Sequence, residues 1–321
     1  MKSKIIWVLQ DHLVGNSNQS LALAQSLGLP LVIKKITYNK FSFLPSIITR
    51  TSLIDIDKKN SDYEGTYPDI IISSGRRLAN LARYIKRKNP STKIINILWP
   101  EINIKEFDLI ILPYHDKYED RYGNIIRING ALSKISASLI DLEQEKWQKK
   151  FSALPKPIIA VLIGGNTKKG KFSEYHASSL IEKCNNFAKT IGGSLVISTS
   201  RRTDIEIIDK IRKLIDVPNF FYDYTSKEEN PYLGFLAIAK LIIATGDSIS
   251  MCSDVCSTGK PVYIFYNDEF VPAKHQRFLE DLFEKNYAKN FAGDLSLEPW
   301  GNLKLLNNME EISKIIRDRF L

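Results

Sequence analysis

Short runs of Ile, Val and Leu, each closed by turn residues, recur along the chain. Ile5–Leu9, Leu31–Ile36, Asp69–Ile72, Lys93–Leu98 and Asp108–Leu112 fill its first part. Pro157–Ile163, Ser194–Ile197, Asn219–Tyr222, Leu241–Ala244 and Pro261–Tyr266 follow in the second. Continuous rather than alternating apolarity is the pattern of strands buried on both faces of a parallel sheet. Helical spacing lies between many of these runs. Leu180, Cys184, Phe187, Ala188 and Ile191 share one face, with Ser173 as N-cap and Gly192 as stop. A second helix is predicted from about Ser17 to Leu27, ending at Gly28, and a terminal one with Asn308 as cap and Ile312, Ile315, Ile316 and Phe320 on its apolar face. Strand and helix in alternation predict right-handed βαβ units, and hence an α/β fold of two Rossmann-like domains facing across a cleft.

The break between the domains is expected near residue 150, in the charged and then proline-bearing stretch Asp141–Pro157. This gives an N-terminal domain over residues 1–150 and a C-terminal one over 151–321, with the terminal helix folding back onto the first. A chain of 321 residues, 44% hydrophobic and 25% charged, suits two globular domains. The apolar stretch at Ile5–Leu9 is too short for a signal peptide, and no run approaches a membrane span, so a cytoplasmic location is expected. Three cysteines argue against a disulfide framework, and Cys252 and Cys256 have no further ligand nearby for zinc.

The net charge of +9 is spread over many lysines, with denser clusters at Arg83, Lys86, Arg87 and Lys88 and at Lys168, Lys169 and Lys171. Such a field favours anionic ligands or an anionic membrane surface, to which the protein would attach peripherally. Nothing in the spacing supports nucleic-acid binding.

In parallel sheets, ligands bind at the carboxyl ends of strands, where loops and helix N-termini present free N–H groups. Four such loops carry suitable residues. Gly164, Gly165 and Asn166 open a glycine- and lysine-rich loop that nearly matches a phosphate-binding P-loop, but Phe172 stands where that motif needs a hydroxyl for magnesium. Ser200, Arg201 and Arg202 suit phosphate or carboxylate, the plain alternative being a solvated pair beside Asp204. Thr245, Gly246, Asp247, Ser248 and Ser250 open a helix, with polar residues beyond the needs of one cap. Gly75 and Arg76 follow a strand in the first half. His115, after another strand, is a candidate general base, with an ordinary hydrogen-bonded histidine as the alternative. Asp55-Ile56-Asp57 matches a metal-binding acid pair too short to weigh, and no metal is expected.

The order of these motifs resembles a known family. Asn18-Gln19, Ser74-Gly75-Arg76-Arg77, Phe107-Asp108 through Pro113-Tyr114-His115-Asp116, and Asn129-Gly130-Ala131-Leu132 carry the likeness in the first half. In the second half it rests on Gly164-Gly165-Asn166, Thr199 through Thr203, Asn230-Pro231-Tyr232, Thr245 through Met251 and Gly259-Lys260-Pro261. Together they resemble the plant "elongated mitochondria" fission-factor family and its bacterial homologues. The resemblance implies an architecture similar to GT-B glycosyltransferases, which hold a nucleotide-sugar on the C-terminal domain. It further implies that an acid in the Thr-Gly-Asp-Ser helix, here Asp254 in place of a glutamate, holds the ribose. The expected function is a metal-independent, GT-B-like transferase whose nucleotide-sugar is substrate rather than cofactor, bound between the domains, with His115 or Asp11 as base. The alternatives are a non-catalytic adaptor docking protein partners or membrane, and a P-loop-like NTPase.

Overall fold

The computed structural model describes residues 3–43, 52–116 and 118–321. The chain divides into two compact units, one running to Lys134 and resuming at Asn307–Leu321, the other spanning Ile135–Leu306.

The first unit holds β1 (Ile6–Gln10), β2 (Leu31–Lys35), β3 (Ile70–Ser74), β4 (Lys93–Ile97), β5 (Leu109–Pro113) and β6 (Ile125–Ile128), all parallel in the order β2-β1-β3-β4-β5-β6. Ile70 and Ile72 on one face of β3 pack with Leu23 and Ala24 of α1 (Val14–Ser26), while Ile71 on the other packs with Leu78 and Ala82 of α2 (Gly75–Lys88). This period-two partition needs both sheet faces covered, which explains the unbroken apolar runs.

In the second unit lie α3 (Ala137–Trp147), β7 (Ile158–Gly165), α4 (Glu174–Thr190), β8 (Ser194–Arg202), α5 (Ile205–Leu214), β9 (Asn219–Tyr222) and α6 (Tyr232–Ile238). They are followed by β10 (Leu241–Thr245), α7 (Ile249–Cys256), β11 (Val262–Phe265), α8 (Ala273–Glu284) and β12 (Lys289–Asn290). The parallel sheet runs β12-β11-β10-β7-β8-β9, so the strand order reverses between β7 and β10. The terminal helix α9 (Asn308–Phe320) belongs to the first unit. There Ile312 and Ile316 enter the α1-side core, Asn308 Nδ2 donates to the Asn129 carbonyl at 2.6 Å, and Ser313 and Ser26 hydroxyls meet at 2.6 Å.

The division falls at Lys134/Ile135, ahead of the expected boundary near 150. Asp141, Glu145 and Lys146 form the exposed face of α3, whose buried residues Ile140 and Trp147 belong to the second core. Trp147 is buried there against Gly234, where an added Cβ would sit 2.4 Å from the indole, and Phe151 packs on Phe220 and Phe235. Ser173 caps α4 through a reciprocal pair with His176. Cys252 and Cys256 are free and buried on α7.

Candidate functional site

At the reversal in the second sheet, the ends of β7, β8 and β10 meet around a buried carboxylate. The Gly164 N–H donates to Thr245 Oγ1 at 2.8 Å, and that hydroxyl donates to Asp247 Oδ1 at 2.6 Å. Arg202 Nη2 lies 2.6 Å from Asp247 Oδ2, whose side chain is fully buried while that of Arg202 is 40% exposed. The Ser200 hydroxyl donates to the Gly164 carbonyl, and Thr203 Oγ1 donates to the same oxygen at 2.9 Å. Burial pushes the Asp247 carboxyl up. Arg202, the Thr245 hydroxyl and the Gly165 N–H oppose that shift.

The glycines here are required by the protein's own packing. A Cβ on Gly164 would lie 2.2 Å from Asp247 Oδ2, and one on Gly165, at φ +117°, would lie 2.2 Å from the Arg202 carbonyl oxygen. A Cβ on Gly246 would meet Leu279 of α8 at 2.5 Å, and the Gly246 N–H is taken by the Phe265 carbonyl at 2.8 Å. Gly246 is therefore not an open anion-binding N–H. The Asn166 N–H is likewise spent on the Arg202 carbonyl at 2.8 Å.

The near P-loop is a closed turn. The Thr167 N–H bonds the Gly170 carbonyl at 2.9 Å, Asn166 Oδ1 accepts from the Phe172 N–H at 2.9 Å, and Phe172 is buried beside Phe270 and Phe265. No phosphate cradle forms, because the segment folds on itself before α4 begins. The NTPase expectation therefore has no loop to act through.

Two groups at this end remain outward-facing. Arg201 is exposed and pairs with no carboxylate among the described residues, and α7 begins here with Ser248 capping the Met251 N–H at 3.4 Å. Ser250 is exposed in the first turn of α7. Asp254, one turn further, is half-buried and accepts from the Tyr232 phenol at 3.2 Å; burial and Asp254 together push that phenol well up.

One neighbour escaped the sequence reading. His275, in the first turn of α8, hydrogen-bonds the Asp247 backbone, and its Nδ1 is buried without a partner. Burial holds its imidazole below the usual range, with Lys274 and Arg202 adding to the effect. The rule that strand ends carry sites would have reached it had the loop after β11 been weighed with the others.

In the first unit the candidates separate. Gly75 has φ +76° at the start of α2, and Arg76 Nη1 lies 3.1 Å from Glu101 Oε2. Asp11, at the end of β1, accepts from the Leu13 N–H at 2.9 Å and the Tyr38 phenol at 3.2 Å. Burial pushes that phenol up, and Asp11 adds to the shift. His115 is buried beyond β5, with β3 and β4 between its strand and that of Asp11, so the two candidate bases do not share a strand end.

The basic cluster on α2 is internally matched. Arg83 pairs with Glu106, Lys86 with Asp108, and Lys93 reaches Asp108 at 3.1 Å. Asp55 is buried, whereas Asp57 caps the Lys59 and Asn60 N–H groups, so the pair does not converge on a metal. Among the described residues no group of three or more His, Cys, Asp or Glu side chains is placed to hold a metal ion, and no helix is long and apolar enough to cross a membrane.

Other motif residues are structural. Gln19 Oε1 accepts from the Leu132 N–H at 3.1 Å. Lys260 Nζ donates to the Leu236 carbonyl in the last turn of α6 and to the Ala239 carbonyl just past it, both at 2.8 Å, and burial holds its ammonium down at about 8.

Solved structures of low sequence identity share this α/β fold. The UDP-GlcNAc 2-epimerase of Methanocaldococcus jannaschii matches 98% of this chain and 99% of its own, at 11% identity and a TM-score of 0.60. Acinetobacter baumannii MurG matches 98% and 99% at 11% identity and 0.51. The Neisseria meningitidis UDP-GlcNAc 2-epimerase bound to UDP-GlcNAc matches 98% and 98% at 14% identity and 0.51. The fold is thus that of GT-B glycosyltransferases and epimerases.

In sequence, a Rickettsia prowazekii (strain Madrid E) protein is 34% identical over 97% of both chains. The mitochondrial fission protein ELM1 of Arabidopsis thaliana is 29% identical over 80% of this chain and 65% of its own. The mitochondrial fission ELM1 family matches residues 14–320, and the chain belongs to that family.

Proposed function

We propose that the second unit binds the diphosphate of a nucleotide-sugar at the ends of β7, β8 and β10, and that the protein is a glycosyltransferase-like enzyme needing no metal. One observation carries this reading. Arg201, near the end of β8, stands exposed and pairs with no carboxylate among the described residues, next in sequence to Arg202, which reaches Asp247 just ahead of α7. A guanidinium and the positive end of a helix are what a departing diphosphate requires for charge stabilisation. The UDP-GlcNAc bound by the N. meningitidis epimerase supports the ligand class by analogy of fold. As general base, Asp11 suits better than His115, because it is half-buried at a strand end whereas His115 is enclosed.

A second reading, a non-catalytic adaptor, is favoured by a different observation. Asp247, Asp254 and Asp204, acids at this end of the sheet, are already matched by Arg202 and Thr245, by Tyr232 and by Asn166. Titration calorimetry with UDP, ADP, GDP and UDP-GlcNAc in EDTA separates the two. Binding that survives chelation and weakens about tenfold or more in Arg201→Ala supports the enzyme. Wild type and variant equally unable to bind any of them would leave the adaptor.

A further inference from the structure

The first sheet has its own reversal of strand order, between β1 and β3, and two helices open there. Neither α1 nor α2 has a side chain bonding its free N–H groups from the N-cap position, and neither carries an acid in its first turn. The first turn of α2 instead contains Arg76 and Arg77. Cations at the positive end of a helix are unfavourable without an anion to offset them. Of the carboxylates nearby, Asp11 is bonded to Leu13 and Tyr38, Glu101 pairs with Arg76, and Asp55 is buried within the field of Arg77.

A separate observation points to a ligand. Ser74, the N-cap residue of α2, is 3% exposed, and its hydroxyl has no hydrogen-bond partner. On β3 the preceding Ser73 hydroxyl bonds Asn96 at 2.7 Å, so Ser74 faces the opposite side, with Ile70 and Ile72, toward α1. Asn16 of α1 brings its amide nitrogen close there, 3.3 Å from where a Cβ on Gly75 would stand. His12 Nε2 lies 3.5 Å from Arg77 Nη1, and Arg77 stacks over Tyr38. A buried hydroxyl left without a partner costs stability, and occupants that satisfy it return that loss.

We infer that this strand end binds a phosphoryl group, held by the Ser74 hydroxyl, the N–H groups opening α2 and the Asn16 amide. A phosphate offers several acceptor oxygens to donors arriving from different directions, which a planar carboxylate does not. The inference is independent of the nucleotide reading, because every residue in it lies in the first unit.

The test titrates the full-length protein with inorganic phosphate, and separately with acetate, following backbone amide resonances of both units. Saturable shifts at Gly75, Arg76 and Arg77 are expected with phosphate, unaffected by Arg201→Ala. Ser74→Ala should weaken phosphate binding about tenfold. That variant removes an unmatched hydroxyl, so without phosphate its melting temperature should equal or exceed that of the wild type, and with phosphate it should fall below. Three outcomes would each overturn the inference: amides at 75–77 unmoved by phosphate, equal affinity for acetate, or Ser74→Ala destabilised to the same extent with and without phosphate.

Discussion

The two sheets end alike and differ in what they do with charge. At the β7/β10 reversal, strand ends deliver Gly164, Thr245, Asp247 and Arg202, and each finds a partner within the protein. At the β1/β3 reversal, strand ends deliver Ser74, Gly75, Arg76 and Arg77, and the Ser74 hydroxyl is left unmatched. A glycine followed by polar and basic residues after a strand reads the same in both places. Asp247 is a buried carboxylate paired with Arg202, whereas at the first end buried Asp55 acts on Arg77 and Glu101 pairs with Arg76 from the surface, and the Ser74 hydroxyl still has no partner.

The largest expected effect comes from breaking the internally matched end. Gly164→Ala forces a methyl into the space of the Asp247 carboxylate, 2.2 Å away. Displacing a buried, paired acid should cost about 3–5 kcal/mol of unfolding free energy in denaturant melts. Asp247→Ala also destabilises, but it vacates the space the methyl needs. The double variant should therefore be more stable than the sum of the two singles by about 1 kcal/mol or more. Strict additivity would mean that the two residues do not compete for one space.

Much of this architecture was legible in sequence, and the exceptions share a cause. Ten apolar runs correspond to ten strands; the inner ones, buried on both faces, carry the clearest Ile/Val pattern, while the edge strands β2 and β9 are partly exposed. Ile125–Ile128 escaped, since Arg127 interrupts it. That guanidinium turns back to the Pro113 and Asp116 carbonyls and so serves as a local brace. The boundary moved because Trp147 and Phe151 are two apolar residues in a charged stretch, and only the core they enter identifies their domain. Gly164 and Gly246 were visible as glycines, yet what each makes room for, a carboxylate and a leucine, lies dozens of positions away. For the same reason the α2 cluster looked like an open basic patch until Glu106 and Asp108 were placed beside it. Local chemistry is readable along the chain, but whether a charge is already matched is a long-range property.

A middle-sized effect should follow from Arg202→Ala, which strips the cation from Asp247. Because Arg202 is 40% exposed and solvent screens part of the pair, about 2 kcal/mol at pH 7 is expected, below the usual loss for a fully buried pair. The pH dependence is more informative. Burial already raises the Asp247 carboxyl above its ordinary value of 3.8, so the native state binds this proton more tightly than the unfolded state. The contribution of this group to stability therefore falls as pH rises from 3.8 through its raised folded value. Without Arg202 that value should rise further and the decline extend to higher pH. Urea melts from pH 4 to pH 7 should show the variant's deficit growing with pH. A deficit that shrinks with rising pH would show that Arg202 is not the counter-charge of Asp247.

The smallest effect concerns the first unit and sharpens the comparison from the other side. Glu101 is a surface acid of that unit, holding Arg76 across a 3.1 Å contact with both side chains more than a third exposed. Such a pair contributes little, so Glu101→Gln should change stability by less than about 0.5 kcal/mol in denaturant melts. Glutamine keeps the Cβ that already tolerates the positive φ of 55° at this position, so backbone strain is unaltered. What should change is the field at the start of α2. With the carboxylate neutralised, Arg76 is released toward the helix terminus, and phosphate affinity, read from the Gly75 amide, should rise about two- to threefold at low salt. Near 1 M salt the Debye length shrinks to about 3 Å and the gain should vanish. A gain that persists at high salt would mean that Glu101 blocks the site sterically. Weaker phosphate binding in Glu101→Gln would mean that the ion pair holds Arg76 in its binding position, and that the first unit, like the second, depends on an acid to order its cations.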